Sequence, residues 1–265
     1  MPSSRQIRSA AFAVLLTAAA SGISEGQQPA RSGPAAPTAA DWAALAKLPD
    51  FTGVWEVGFG APAGRGAGGG GRGRAGGPPA GPQLTPAYAE KRRARIANPP
   101  EDSQAANCLP PGMPGIMGQP YPMEFLLTPG LVTIVIEAYT QVRHIYTDGR
   151  PLPADPDPKF HGTSVGHWEG DTLVTETVGF SPQTDLGQAM PHSDKMKIIE
   201  RFKLTDPDTM TIETTVMDPE ALAAPFTSTR MLKRHRAWTI AEYICEENNR
   251  NFVDANGKAG ININK

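Results

Sequence analysis

From Met123 onward this chain is a succession of short β-branched and aromatic runs separated by tight-turn signals, and that pattern constrains the fold most. Residues 131–137 are a continuous β-branched run; residues 141–146 follow, closed by Asp148-Gly149. Residues 161–180 (HGTSVGHWEGDTLVTETVGF) hold two strand-like runs around Glu169-Gly170, where Gly tolerates the positive φ of a two-residue turn. Residues 195–204 and 209–217 pair around Thr205-Asp206-Pro207-Asp208, and residues 227–236 with 238–245 make a last pair. Consecutive short strands, with helices only near the start, predict an all-β fold. The sheet is antiparallel and up-and-down, and either closes into a barrel or folds into a sandwich.

The amino end has the composition of an export signal over residues 1–22. Arg5 and Arg8 precede an apolar core at 10–20, and small residues at Ala20, Ser21 and Gly22 offer a cleavage site. That run is too short to span a bilayer as a helix, and no other stretch approaches the required length. Residues 23–40 read as a disordered linker and 41–250 as a single β domain. The domain carries a flexible Gly/Arg/Pro-rich insert at 60–82, and a polar tail occupies 251–265. Asp41 is placed to cap a short helix over 42–47, residues 51–57 read as the first strand, and Thr85-Pro86 opens a second helix. Cys108 and Cys245 are the two cysteines, and in an oxidising compartment they pair most simply as one disulfide. The expected location is periplasmic or extracellular. A formal net charge of −2 implies neither nucleic acid nor an anionic membrane surface as partner.

Side chains alternate along a strand, so His161, Thr163, Val165 and His167 share one face, and Glu176 joins them across the predicted hairpin. Two imidazoles and a carboxylate on one face suit proton transfer, or else form a polar edge of the sheet. Glu200 lies in the apolar series Met196, Ile198, Phe202, Leu204. A carboxylate there must be paired, hydrogen-bonded or shifted in pKa, and an arginine such as Arg230 is a candidate partner. His192 sits in a loop before that strand, where it can close over the same face; Ser193 and Asp194 read as turn residues. His144 alternates with Val142 and Tyr146 on a face predicted to be interior. The catalytic candidates are therefore His161, His167, Glu176, His192 and Glu200, with Thr163, Trp168, Tyr146, His144 and Arg230 as substrate contacts. The histidine spacing matches no compact zinc pattern, and the aspartates of residues 148–157 are accounted for by turns, so neither a metal nor a cofactor is assigned. There is no HExxH and no P-loop; residues 162–166 (GTSVG) carry the letters GxSxG, but Ser164 faces the opposite side of its strand from His161 and His167, which argues against a serine nucleophile activated by them.

Taken together, EFLLTPG, IYTDGRPLP, SVGHWEGDTLVTETVGF, HSDKMKIIERF and EYICEENNR resemble a family of exported bacterial proteins over about residues 108–250. The resemblance implies export and transfers no activity. The opening FTGVWE is similar to the Gly-x-Trp start of lipocalin-like barrels, which implies a barrel with an interior ligand site. Three functions follow from these expectations. The first is an exported enzyme using His/Glu acid–base chemistry, as lyase, isomerase or hydrolase, on a small, partly apolar molecule. The others are a non-enzymatic binder of a hydrophobic ligand and an envelope interaction module.

Overall fold

The computed structural model describes residues 36–58, 81–98, 107–245, 251–253 and 259–261. The predicted export signal, nearly all of the linker and almost all of the Gly-rich insert lie outside the described residues. Nine strands close into one barrel: β1 (Gly53–Val57), β2 (Met123–Thr128), β3 (Leu131–Ile136), β4 (Gln141–Tyr146), β5 (Thr163–Glu169), β6 (Thr172–Val178), β7 (Lys197–Asp206), β8 (Thr209–Met217) and β9 (Phe226–Arg234). Each pairs with its neighbour in the chain, and β1 closes the ring against β9 with Trp55 opposite Arg234. Closure satisfies the edge strands that an open sheet would leave exposed.

The up-and-down expectation holds with one departure. Strands β4 and β5 run parallel, and only Ile145–Ser164 and Tyr146–Val165 are paired there. A parallel pair cannot be joined by a tight hairpin, and the sixteen-odd residues from 147 to 162 make the crossover. A second departure lies at the end of the chain. Residues 238–245, predicted as a strand, form none, because β1 already occupies the free side of β9. They are tied down by side chains instead. Tyr243 packs edge-on to Tyr121 and tilted against Tyr139, each centroid 5.3 Å away, and its carbonyl accepts from Thr140 Oγ1 at 3.0 Å. The predicted disulfide Cys108–Cys245 is formed. Its sequence separation of 137 makes it worth about 5 kcal/mol on the chain-entropy account. Beyond it, β10 (Asn251–Val253) and β11 (Ala259–Ile261) pair as a small ribbon within the tail.

The helices follow their local signals. In α1 (Ala39–Leu45) the cap is Thr38, and Asp41 answers it from the third position to complete a capping box. Helix α2 (Pro86–Ala97) starts after Thr85 with Pro at its first position. Thr85 Oγ1 does not cap; it donates to the Glu220 carbonyl at 2.8 Å and ties the helix to the loop after β8.

Alternation along each strand sends one set of side chains into the barrel. Trp55, Met123, Phe125, Ile134 and Ile136 line the β1–β3 side, and Leu173, Ile198, Phe202, Ile212 and Leu232 the β6–β9 side. The Pro/Met-rich segment before β2 joins this core, with Met113, Ile116 and Met117 almost fully buried. Each such side chain contributes roughly 1.5–3 kcal/mol of burial. A single 3-10 turn, Gly115–Gly118, carries two of them, and a Cβ on Gly118 would lie 2.9 Å from Arg230 Nε. Glycine there lets the segment settle directly onto the interior arginine. Among the described residues no helix is long and apolar enough to cross a membrane.

Candidate functional site

Within the apolar barrel lies a polar layer. Arg143 of β4 points inward and pairs with Glu200 of β7, the two being 1% and 0% exposed. The same guanidinium donates through Nη2 to Ser164 Oγ (3.3 Å) and Thr177 Oγ1 (3.2 Å), and Thr175 Oγ1 donates to Glu200 at 3.4 Å. This resolves the conflict that Glu200 poses in the sequence: the carboxylate is paired, and its partner comes from across the barrel rather than from β9. Arg230 also faces inward, where burial pushes its guanidinium below its ordinary pKa and the nearby Glu200 charge acts the other way. The layer is left with open hydrogen-bonding capacity. Among the described residues Arg143 Nε and Nη1, Glu200 Oε1 and Thr214 Oγ1 are buried without partners.

Sequence reasoning missed Arg143 because it assigned the wrong face of β4 to the interior. Val142 and His144 point outward and are exposed, with His144 Nδ1 3.3 Å from Thr133 Oγ1, whereas Arg143 and Ile145 are buried. Polarity alone argued against an inward arginine. The unpaired carboxylate on β7 was the available signal, because a buried Glu requires a cation and only a few arginines lie on strands.

The β5–β6 hairpin needs a similar correction. Its register places Glu169 opposite Thr172, His167 opposite Val174 and Val165 opposite Glu176, so the loop is Gly170-Asp171 rather than Glu169-Gly170. Thr163, Val165, His167 and Glu176 do share a face, as expected, but it is the outer one. His167 is 60% exposed and sits 3.2 Å from Glu169, and Glu176 pairs with Lys197 on the outer wall. Neither reaches Glu200, which lies on the opposite side of the sheet. The inner face of the hairpin carries Ser164, Gly166, Trp168, Thr175 and Thr177 instead. Trp168 packs its ring 5.2 Å from Phe51 and serves the core.

His161 leaves the outer series altogether, and Gly162 is the reason. Gly162 has φ +65, and a Cβ there would come within 2.6 Å of the Val178 carbonyl. The left-handed residue breaks strand alternation, so His161 turns inward while Thr163 remains outside. Backbone bonds hold the turn: Gly162 N to Lys159 O (3.2 Å), Ser181 N to Lys159 O (2.8 Å) and Met113 N to Phe160 O (2.9 Å). His161 is 9% exposed and its Nε2 has no partner among the described residues. Burial first, then the Arg143 charge, lowers its pKa to about 4, against a smaller upward pull from its bond to the Val142 backbone. His161 is therefore neutral near pH 7. With Nδ1–H directed to Val142, Nε2 presents a bare lone pair.

His192 is not part of this group. Its Nε2 lies 2.8 Å from Thr184 Oγ1 and 3.0 Å from Ser181 O, and its Nδ1 2.8 Å from Ser193 O. Both ring nitrogens are committed to the loop between β6 and β7. Asp218, a buried carboxylate absent from the predicted set, anchors the same loop by accepting from Ser193 N and Oγ at 2.7 Å and from Ala221 N at 2.9 Å.

Where β4 and β5 part, the wall opens into a cleft of about 300 Å³. Four predicted residues meet there, His144, Tyr146, His161 and Thr163, together with Arg143 and Ser164 from the polar layer. Lys159 and Phe160 complete the rim. His167, Glu176, His192, Glu200, Trp168 and Arg230 do not line it. Among the described residues no three His, Cys, Asp or Glu side chains form a set able to hold a metal ion.

No family profile and no curated protein matches this chain. Among solved structures, it is similar to a point mutant of the fluorescent protein UnaG at 12% identity, over 70% of this chain and 96% of that one, with a TM-score of 0.31. The barrel assignment rests on the strand ladder observed in this chain.

Proposed function

We propose that this protein is an exported small-molecule-binding barrel whose ligand enters the cleft between β4 and β5 rather than the centre of the barrel. One observation carries the reading: the cleft is lined by His161 and Arg143, whose Nε2 and guanidinium Nε and Nη1 are buried with no partner among the described residues. Unsatisfied buried groups beside an open cleft are where a ligand gains most from hydrogen bonding. The barrel centre is a poorer site, because Met113, Ile116, Met117 and the strand side chains pack into it. Location outside the cytoplasm is supported by the Cys108–Cys245 bridge.

The test is an NMR screen of small organic fragments against the mature chain and two variants. Thr163→Trp crowds the cleft, and His167→Ala alters the outer face four residues further along β5. Hits are expected to shift cleft resonances, to be lost in Thr163→Trp and to persist in His167→Ala. Hits that bind Thr163→Trp unchanged overturn the assignment. A second reading, acid–base catalysis with His161 as the base, is favoured by the neutral imidazole and its free lone pair beside a guanidinium. Mass spectrometry of each hit after incubation separates the two, since a binder returns its ligand unchanged.

A further inference from the structure

The residues lining the cleft include Arg143 and Lys159 but no aspartate or glutamate. Lys159 Nζ reaches Thr163 Oγ1 at 3.4 Å, and among the described residues no carboxylate lies within ion-pair distance of it. Beneath the floor, Arg143 is balanced by Glu200, and Arg230 adds a second guanidinium to the same layer. The cleft therefore carries a positive potential that a partly enclosed, low-dielectric setting strengthens. Its apolar surface comes from Val142, Tyr146 and Phe160. The Tyr146 ring is already held by the Arg150 guanidinium, 3.9 Å from its centroid, which Asp148 in turn orients.

On the binding reading above, we infer that the ligand is a small aromatic carboxylate bearing a hydroxyl, its carboxylate at Lys159 and its hydroxyl donating to His161 Nε2. The orientation follows from the chemistry of the two ends. A bare imidazole lone pair repels a carboxylate and accepts from an O–H, whereas an ammonium without a counter-ion does the reverse. Size agrees, since the volume lies at the lower limit of roughly 300–1,000 Å³ for ligand sites and takes one ring with its polar groups.

The test titrates para-hydroxybenzoate, benzoate and para-hydroxybenzamide into the mature wild-type chain, Lys159→Gln and His161→Leu, reading cleft resonances by NMR. Lys159 is exposed, so its variant tests charge without threatening the fold. The acids are expected to bind more tightly than the amide, and Lys159→Gln to weaken them roughly tenfold while leaving the amide unchanged. Added salt is expected to weaken only the acids. His161→Leu, which leaves no acceptor for the hydroxyl, is expected to erase the advantage of para-hydroxybenzoate over benzoate. Equal affinity for acid and amide, untouched by Lys159→Gln, overturns the anion assignment but leaves the binding reading standing. Shifts confined to residues away from the cleft, or no shifts with any probe, also overturn it; the fragment screen then decides the binding reading separately.

Discussion

The β7–β8 hairpin and the β4–β5 seam lie in one barrel wall and are held by different means. Along β7 and β8 the ladder is continuous from Lys197–Met217 to Leu204–Met210, so backbone groups satisfy one another and side chains add cross-strand contacts. At the seam the ladder stops after two pairs. There the His161 ring bonds the Val142 backbone in place of a ladder bond, and Arg143 reaches through the interior to Glu200 on β7. Where the backbone is saturated, the wall is closed. Where side chains replace the ladder, buried groups among the described residues are left without partners and the wall opens into the cleft.

The largest expected effect comes from breaking the stitch between these regions. Arg143→Met or Glu200→Met alone leaves a buried charge unpaired, and chemical denaturation is expected to show a loss of about 3–5 kcal/mol. The double variant is expected to recover most of that loss. If the singles cost no more than the double, the pair does not hold the seam.

Next comes the pH dependence of the seam. The folded pKa of His161 lies near 4, below its ordinary 6.5, so between these values the unfolded state binds the extra proton. Its contribution is full above about pH 6.5 and is lost as pH falls to about 4, roughly 3 kcal/mol in all. Stability measured against pH is expected to fall less steeply over that window in His161→Gln. Matching slopes in wild type and variant would remove His161 from the account of the seam.

A smaller loss, of about 1–2 kcal/mol or more, is expected for Gly162→Ala, which sets a Cβ against the Val178 carbonyl at a left-handed φ. With the turn displaced, the His161 pKa followed by NMR titration is expected to rise toward 6.5. A stable variant with the pKa still near 4 would show that Gly162 does not position the ring. The smallest effect belongs to the outer wall: His167→Ala breaks only an exposed contact with Glu169, and no measurable change in the unfolding midpoint is expected.

Much of this was legible. Turn chemistry and period-two runs located the strands, β4 to the residue, and Thr85-Pro86 marked α2 because proline at a first helical position is a local signal. The Cys108–Cys245 pairing and the need of Glu200 for a partner were legible too, since both are forced by chemistry at the residue itself. Other features were not. His161 and His167 look equivalent in sequence, yet one is buried and the other exposed, because the backbone of a single glycine reverses the ring's direction. Arg143 looked like an outward residue until the sheet closed.

By itself the sequence determined where most strands lie, the alternation within each strand and which two sulfurs join, because these depend on local periodicity and on covalent chemistry. Tertiary structure alone decided which face is inside and where the wall stays open. Alternation has two equivalent solutions on any strand, and only closure of the ring, with one parallel seam too short to zip, chooses between them.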